Sequence, residues 1–398
     1  MQQRILFIFF NLLAINWDQK TGECQVIPPN VVDVVDHGAV GDGIADDTQA
    51  FLDAWAAVCG SASSLPILVP TMTTFLLHPV TFKGPCQSPT IYLLLDGNIV
   101  APDMASWTGD DKSKWIVFSN VQGLSIIGDG TIDGRGSNWW QSNLDAHQRP
   151  IGTMFQNCNK LQLQGFTHIN SGSLHISIAD SNGVSISNLH VFAPESSPNT
   201  DGIDISRSSN VDIRVTDIGT GDDCIAIGGG SSYINITSVS CGPGHGISIG
   251  SLGANGGVDT VEQVSVKNCT LAGTTNGARI KTWQGGSGFA RRILFNEITL
   301  TNVTNPILID QFYCPYGTCI NETSAVEVSD VSFIGFHGTS STENAITLEC
   351  SEIKGCSNII LDDINIVHVV PGQVTQASCF NAHGTSGVTT PAIDCLSA

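Results

Sequence analysis

Basic residues are scarce in this chain. Lysine and arginine supply 16 of the 398 residues against 36 aspartates and glutamates, which gives a net charge of −20 and a pI of about 4.6. Nucleic acids and anionic membranes are bound by basic patches, so this composition argues against both as partners. A polyanionic substrate would have to be attracted by a local group of cations. Charged residues of both signs reach only 13%, so much of the chain must be stacked side chains rather than solvated helix faces.

The sequence also lacks a hydrophobic run long enough to cross a membrane. Residues 1–23 instead predict a secretory signal, in which Arg4 is the positive start and residues 5–13 form the apolar core. No clear small-x-small cleavage motif follows, so a buried N-terminal strand stays open as the alternative. We expect residues 24–398 to form one secreted domain, since no linker or low-complexity segment divides them.

Cysteine pairs at the CxxC spacing of zinc sites are absent. Thirteen cysteines without that spacing favour disulfides in an oxidising compartment, with at least one thiol left over. Connectivity stays open at this point, but four pairs would close short local loops. These pairs are Cys224 with Cys241, Cys314 with Cys319, Cys350 with Cys356, and Cys379 with Cys395. Four sequons, at Asn235, Asn268, Asn302 and Asn321, would accept glycans on a secreted chain.

A 22-residue repeat organises the middle of the chain. Asp201, Asp223 and His245 are 22 residues apart, in the strings NTDGIDIS, GDDCIAIG and GPGHGISIG. Isoleucines repeat with them at two alternate positions, which indicates stacked strands rather than a helix. We extend the first of these ladders to seven coils, as Ile176, Ile203, Ile225, Ile247, Ile280, Ile307 and Ile346.

A second series of short apolar strands accompanies the first, with starts 23 to 38 residues apart between positions 124 and 359. Two or three strands per coil without long helices predict an all-β fold, a right-handed parallel β-helix or solenoid. Solenoid ends need covers, and a helix beginning near Asp46 is predicted to be the N-terminal capping helix. Irregular coil lengths mark Asp133–Arg149 and Tyr313–Thr323 as inserted loops that wall a groove.

Stacking at roughly 4.8 Å per coil would place Asp201, Asp223 and His245 in one column, with Asp222 beside it. Carboxylates this close oppose each other's ionisation, which is costly for stability and points to chemistry. Two other interpretations apply: turn aspartates at strand ends, or a divalent metal site of Asp and His ligands. Asp204, between two ladder isoleucines, is predicted to be a solvated strand residue.

Four motifs, NTDGIDI, GDDCIAI, CGPGHGISIGS and ARIKT, stand in an order that resembles the polygalacturonases, the pectin-cutting glycoside hydrolases of family 28. The resemblance begins at about Val31, includes DHGAVGDGIADDTQAFLDAW, and is greatest to the plant members. It implies a β-helix that needs neither metal nor organic cofactor. Pectin, or polygalacturonate, would then be the partner of a monomeric enzyme in the extracellular space or cell wall.

The resemblance also implies roles for the clustered residues. Asp222 would be the general acid, Asp201 and Asp223 would hold the nucleophilic water, and His245 would support protonation of the acid and touch the substrate. Glycosidic hydrolysis needs one protonated carboxyl and one carboxylate, and we expect crowding to raise at least one pKa here. Inversion at the anomeric carbon follows from the resemblance and not from the spacing.

Two cations complete the predicted site. Arg279 and Lys281 flank Ile280, so strand alternation directs both to the same side, where they can bind a sugar carboxylate or the aspartates. Asn199 and Tyr313 match sugar-binding positions of the family. We therefore predict hydrolysis of α-1,4 links in de-esterified homogalacturonan, with endo or exo action undecided. The alternatives are a related hydrolase of rhamnogalacturonan or xylogalacturonan, and a catalytically silent wall-binding protein.

Overall fold

The computed structural model describes residues 15–17, 24–26, 30–315, 317, 319 and 322–397. Most of the predicted signal segment and the sequon at Asn321 lie outside these residues. Ile15–Trp17 and Cys24–Val26 form a two-stranded antiparallel sheet. Every other strand pairing in the described part of the chain is parallel, and it joins strands from neighbouring coils.

One parallel sheet contains one strand from each of eleven coils within the described residues. Its strands, in chain order, are Val80–Lys83, Lys114–Ser119, Ile151–Gln156, Ile176–Ala179, Ile203–Ser206, Ile225–Ile227, Ile247–Leu252, Asn276–Thr282, Asn305–Asp310, Asn344–Glu349 and Gln376–Phe380. We call this the eleven-strand sheet. It carries the sequence motifs singled out above.

The remaining parallel strands form a larger, bent sheet that supplies the other walls of the coil. Before residue 200 they are Val32–Asp33, Asp42–Asp46, Pro66–Val69, Thr74–Leu76, Ile91–Leu95, Asn98–Val100, Leu124–Ile127, Thr131–Asp133, Gln162–Gln164, Thr167–Ile169, Asn182–Ser187 and His190–Phe192. After it they are Ser209–Arg214, Asp217–Gly219, Ser231–Thr237, Ser240–Cys241, Val258–Ala272, Ser287–Val303, Glu327–Ser340, Cys356–His368, Ala382–Ser386 and Thr389–Thr390. The predicted right-handed parallel β-helix is confirmed.

Stacked isoleucines fill the interior, as predicted from the repeat. The first ladder contains Ile176, Ile203, Ile225 and Ile247, all 0–1% exposed. The prediction was wrong for Ile280, because Ala278 pairs with Ile247 and Ile280 belongs to the second ladder, opposite Ile249 and Ile309. The longer coil between these strands shifts the register by two residues, which keeps Ile280 on the buried face.

A helix closes the N-terminal end of the coil. Thr48–Cys59 packs on the first strands through one apolar face, which contains Ala50, Phe51, Ala54, Trp55 and Val58. Its N-cap is Asp47 rather than Asp46, and the Asp47 carboxylate accepts hydrogen bonds from the N–H groups of Val40 and Gly41. The capping helix is therefore present, one residue later than predicted.

The other helical segments are single turns. They are the α-helical turn Ser137–Trp140 and the 3₁₀ turns Val35–His37, Met104–Ser106, Ala146–Gln148 and Ala254–Gly256. None of the helices in the described ranges has the length and apolar character needed to cross a bilayer.

Disulfides join nearby segments of the coil, and four of the bridged cysteines, Cys224, Cys241, Cys350 and Cys356, are buried in the core. All four local pairs considered from the sequence are formed, and Cys59–Cys86 adds a fifth that ties the capping helix to the next turn. Cys158 and Cys269 are unpaired and buried. The Cys224–Cys241 bridge lies directly beside the aspartate motif and closes a segment within one coil at the site described next.

Candidate active site

The loops before three consecutive strands of the eleven-strand sheet bring the predicted residues together. Asp201 precedes Ile203–Ser206, Asp222 and Asp223 precede Ile225–Ile227, and His245 precedes Ile247–Leu252. Backbone hydrogen bonds join the loops: Gly202 N–H donates to the Asp223 carbonyl at 2.9 Å, and His245 N–H donates to the Asp222 carbonyl at 2.7 Å. The 22-residue repeat therefore becomes a column of adjacent functional residues.

Two glycines allow His245 its place in this column. Gly244 has φ +147°, and a Cβ on it would lie 2.7 Å from the Asp222 carbonyl oxygen. Gly246 has φ +86°, and a Cβ on it would lie 2.1 Å from the Asn276 carbonyl oxygen. Neither position has room for a side chain, and both backbones lie in a region that favours glycine. The GHG string is thus the local sequence that lets an imidazole pass close to the neighbouring loop.

Asp223 is the buried anion of the site. Its carboxylate is fully buried, and its Oδ1 accepts hydrogen bonds from Arg279 Nη2 at 2.5 Å and Ser248 Oγ at 2.8 Å. Its Oδ2 accepts one from Lys281 Nζ at 2.8 Å. Burial lowers the pKa of Lys281, but the charge and hydrogen bond of Asp223, together with Tyr313, raise it above its ordinary value. Both cations are thereby fixed at the surface of the sheet with about a tenth of each side chain exposed.

Asp222 faces His245 across a short hydrogen bond, with Oδ1 2.8 Å from Nδ1. The Asp223 N–H donates to the same oxygen at 2.9 Å, while Asn199 Nδ2 donates to Oδ2 at 3.4 Å. Burial raises the pKa of Asp222, but the hydrogen bond and charge of His245, together with the charge of Lys281, lower it below its usual value. The empty site therefore favours the ionised form of Asp222.

Asp201 has the opposite electrostatic environment. Burial, together with the charges of Asp204, Asp222 and Asp223, raises the pKa of Asp201 well above its ordinary value, although Lys281 acts in the other direction. Crowding thus raises a pKa as expected, and it does so at Asp201 rather than at Asp222. The carboxyls titrate as a coupled group, so one proton can be redistributed among them when the surrounding charge changes.

The prediction for Asp204 was wrong, because this residue is not a solvated strand residue. Burial and the charge of Asp223 raise its pKa to about 8, and its Oδ1 is buried without a hydrogen-bond partner among the described residues. Strand alternation does point Asp204 outward, between Ser177 and Ala226 of the neighbouring coils. At this position the outer face of the sheet is the floor of the site, so outward does not mean solvated.

Tyr313 lies at the C-terminal side of the cations. Its ring centroid is 5.4 Å from Lys281 Nζ, and the Trp283 ring meets it edge-to-face, with centroids 5.5 Å apart at 90°. A half-buried tyrosine held between a cation and an indole offers a flat apolar surface beside a positive charge. Trp283 was missed from the sequence, although its position two residues after Lys281 places it next along the same strand face.

Arg149 was also missed. It ends the inserted loop Asp133–Arg149, is 4% exposed, and donates from Nη1 to the Pro198 carbonyl at 2.9 Å and from Nη2 to Asn199 Oδ1 at 2.6 Å. These contacts cross 49 and 50 residues of sequence. Together with Tyr313, which begins the second predicted insertion, Arg149 shows that the two inserted loops flank the column on opposite sides.

The arrangement has donor atoms for a metal ion, but most are engaged. Ligand atoms of Asp222, Asp223 and His245 lie within 4.8 Å of one another. Both oxygens of Asp223 already accept hydrogen bonds from Arg279 and Lys281, and Asp222 is bonded to His245. A divalent ion would have to displace two fixed cations, so the geometry favours proton-transfer chemistry over a resident metal.

A β-helix that carries a cluster of carboxyl groups, one of them with a raised pKa, next to two cations has the parts of a glycoside hydrolase for acidic sugars. Comparison with protein families gives the same class. The model of Glycosyl hydrolases family 28 matches residues 59–390, and the chain belongs to this family.

The chain is similar to several plant proteins over most of its length. A probable polygalacturonase of Arabidopsis thaliana is 51% identical over 373 residues, which cover 92% of this chain and 81% of the relative. A polygalacturonase of Malus domestica is 42% identical over 374 residues, with 92% and 79% covered.

Among solved structures, the endo-xylogalacturonan hydrolase of Aspergillus tubingensis superposes with a TM-score of 0.75 and 26% identity, over 88% of this chain and 98% of that one. The polygalacturonase of Erwinia carotovora gives a TM-score of 0.69 at 23% identity, over 90% and 97%. The latter likeness supports the β-helix fold.

Proposed function

We propose that this glycoside hydrolase is a polygalacturonase, which hydrolyses α-1,4-galacturonosyl links of de-esterified homogalacturonan with inversion. One observation carries the proposal: Arg279 and Lys281 are held at the surface of the sheet beside the three aspartates Asp201, Asp222 and Asp223. In a chain with a net charge of −20, a substrate without a carboxylate would gain nothing from this pair of cations. Its polygalacturonase-named relatives support the same substrate.

The proposed chemistry uses Asp222 as general acid and Asp201 with Asp223 to hold the attacking water. Before substrate binds, the raised pKa of Asp201 and the lowered pKa of Asp222 favour a proton on Asp201. A galacturonate carboxylate bound against Lys281 would offset the charge that keeps the pKa of Asp222 low, which favours transfer of that proton to Asp222. His245, 2.8 Å from Asp222, would hold its reacting oxygen in place.

Asn199 and Tyr313 are proposed to contact the sugar on either side of the cleaved bond. Asn199 presents its Nδ2 near Asp222, and Tyr313 presents a ring face close to the Lys281 ammonium. A sugar ring that stacks on Tyr313 would place its carboxylate near Lys281. The enzyme would then need neither a metal nor an organic cofactor.

We also propose that the mature chain, residues 24–398, is one domain that acts as a secreted monomer in the cell wall. Five disulfides support an oxidising location. The sequons at Asn235, Asn268 and Asn302 all lie at exposed positions, which leaves room for glycans.

The test is release of reducing ends from polygalacturonic acid near pH 5 by wild type, by Asp222→Asn and by the control Asp217→Asn. Asp217 is a half-exposed aspartate that pairs with His190, and both residues lie on the larger, bent sheet, away from the eleven-strand sheet. Loss of a general acid lowers kcat by about 10²–10⁴-fold, whereas the control should keep wild-type activity. Oligomeric or monomeric products would distinguish endo from exo action.

Inactive wild-type enzyme on this polymer would contradict the substrate assignment. Release from xylogalacturonan or rhamnogalacturonan alone would support a related hydrolase, in line with the similarity to the Aspergillus enzyme. Tight binding of pectin without release from any of these polymers would identify a wall-binding protein. Full activity of Asp222→Asn would contradict the role given to this residue.

A further inference from the structure

We propose that Arg149 is a positioning residue that fixes the Asn199 side-chain amide, so that its NH₂ group, and not its oxygen, faces Asp222. This inference rests on the proposed function, because it concerns how the general acid is held. It assigns a catalytic consequence to the buried end of the inserted loop Asp133–Arg149.

The orientation follows from which groups can donate. A guanidinium has five N–H donors and no acceptor, so the atom of Asn199 that lies 2.6 Å from Arg149 Nη2 has to be the amide oxygen. The amide nitrogen then points the other way, toward Asp222 Oδ2 at 3.4 Å. An amide without such a neighbour could turn over and bring its oxygen against the carboxylate.

The surroundings of Arg149 support a positioning role. It is 4% exposed and forms no ion pair among the described residues, and its Nε is buried without a partner. Burial lowers the pKa of Arg149, and the more distant Asp145 only partly opposes this. Burying the Arg149 cation against a backbone carbonyl and a neutral amide costs more free energy than securing a loop requires. We therefore attribute its presence to the orientation that it gives the Asn199 amide.

The loop that holds Asn199 is fastened by other contacts as well. Asn199 itself has φ +58°, and the next residue, Thr200, accepts a hydrogen bond from the Gly221 N–H at 3.0 Å and bonds to Ser197. The backbone therefore has anchors besides Arg149. Loss of Arg149 should free the Asn199 side chain more than it moves the loop.

The consequence for the site is electrostatic. The charged or titratable groups that face Asp222 are His245, Lys281, Asp201, Asp204 and Asp223. To these the Asn199 amide adds a donor, which favours the carboxylate form of Asp222 and holds its second oxygen. Without Arg149, both the orientation and this bias are lost, so Asp222 should be held less well and titrate at a higher pH.

The experiment is a double-mutant cycle with Arg149→Met and Asn199→Ala, assayed on polygalacturonic acid from pH 3.5 to 7. Arg149→Met should lower kcat by about 10-fold or more with a smaller change in KM, because misplacement of a reacting group chiefly affects the chemical step. In the Asn199→Ala background the same change should cost less than about 3-fold. The alkaline limb of the kcat profile should move to higher pH.

Two further variants separate this role from a merely structural one. Arg149→Lys keeps the charge and a donor-only group, so it should restore part of kcat and the wild-type pH limb. Asn199→Asp keeps its bond to Arg149 but presents an oxygen to Asp222, so it should lose kcat while the alkaline limb moves upward. Arg207→Met, which removes an exposed arginine paired with Asp180, is the control and should leave the profile unchanged.

Asp222 should also be titrated by carboxyl ¹³C NMR in wild type and Arg149→Met, since this needs no turnover. Equal titrations, or losses from Arg149→Met and Asn199→Ala that simply multiply, would overturn the inference. Inactive wild-type enzyme would contradict the proposed function instead, and the NMR titration would still decide the role of Arg149.

Discussion

Acidification from pH 6.5 to 4 should remove the stabilising contribution of one buried histidine, His175. This residue is fully buried beneath the loop that carries Asp201, and its Nδ1 is 3.0 Å from the Asp201 carbonyl oxygen. The Ser171 N–H donates to its Nε2 at 3.3 Å, and the Phe192 carbonyl oxygen lies 3.3 Å from the same atom, so the neutral tautomer with a proton on Nδ1 satisfies the Asp201 and Ser171 contacts. Protonation of Nε2 would satisfy the Phe192 carbonyl but would set the Nε2–H and Ser171 N–H groups against each other.

The size of the effect follows from the pKa of His175. Burial lowers it from 6.5 to about 4, although the carbonyls of Asp201 and Phe192 oppose this. Between these values the unfolded state binds a proton that the folded state does not, so stability falls as the pH falls. The difference, at about 1.4 kcal/mol for each pKa unit, amounts to about 3 kcal/mol by pH 4 and about 2 kcal/mol by pH 5.

The assay is urea unfolding followed by tryptophan fluorescence at pH 6.5, 5 and 4 for wild type and His175→Asn. Asparagine can still donate to the Asp201 carbonyl but does not titrate, so the variant should be less stable than wild type at pH 6.5, and this deficit should shrink on acidification. His190→Asn, which removes a half-exposed histidine elsewhere, is the control. A wild-type-to-variant difference that stays constant from pH 6.5 to 4 would refute the reasoning.

Two other substitutions test the electrostatics of the site. Asp204→Asn should raise the free energy of unfolding in urea, relative to wild type, by at least about 1 kcal/mol more at pH 8 than at pH 5. The reason is that the raised pKa of Asp204 makes ionisation of the native carboxyl unfavourable. A difference from wild type that is the same at both pH values would contradict the burial of Asp204. Lys281→Met should raise KM for polygalacturonate about 10-fold or more and lower stability by about 1–3 kcal/mol, since the buried Asp223 carboxylate loses a charged donor. A KM equal to that of the exposed control Lys160→Met would contradict a role for Lys281 in binding the polymer.

The column of active-site residues could be predicted from the sequence because a β-helix converts a sequence period into spatial neighbours. Parallel pairing puts Ile203, Ile225 and Ile247 in register, and this fixes the loops just before them. Asp201, Asp223 and His245 had to be adjacent once the period was known. The same reasoning failed at Ile280, where a longer coil broke the period and only the hydrogen-bond register identifies the partner.

Contacts from outside the repeat could not be predicted in this way. Arg149 reaches Asn199 across 50 residues from an inserted loop that shares no period with the motif. Asp204 illustrates a different limit, because alternation correctly gave its direction but not its surroundings. A carboxyl on the outer face is solvated on most of this solenoid, yet here the neighbouring loops and the charges of Asp201 and Asp223 enclose it.

His175 and Asp204 give the native state opposite pH dependences. His175, a base whose pKa is lowered on folding, contributes its full stability above pH 6.5 and loses it as the pH falls toward 4. Asp204, an acid whose pKa is raised on folding, contributes its full stability below pH 3.8 and loses it as the pH rises toward 8. Between pH 4 and 6.5 the two contributions cancel, and from 6.5 to 8 only that of Asp204 remains. The pair therefore favours a native state that tolerates mild acid and weakens as the pH rises. Mild acid also favours retention of a proton by the clustered carboxyls, as the proposed mechanism requires. His175→Asn should convert this plateau into a continuous fall from pH 4 to 8, and Asp204→Asn should convert it into a rise.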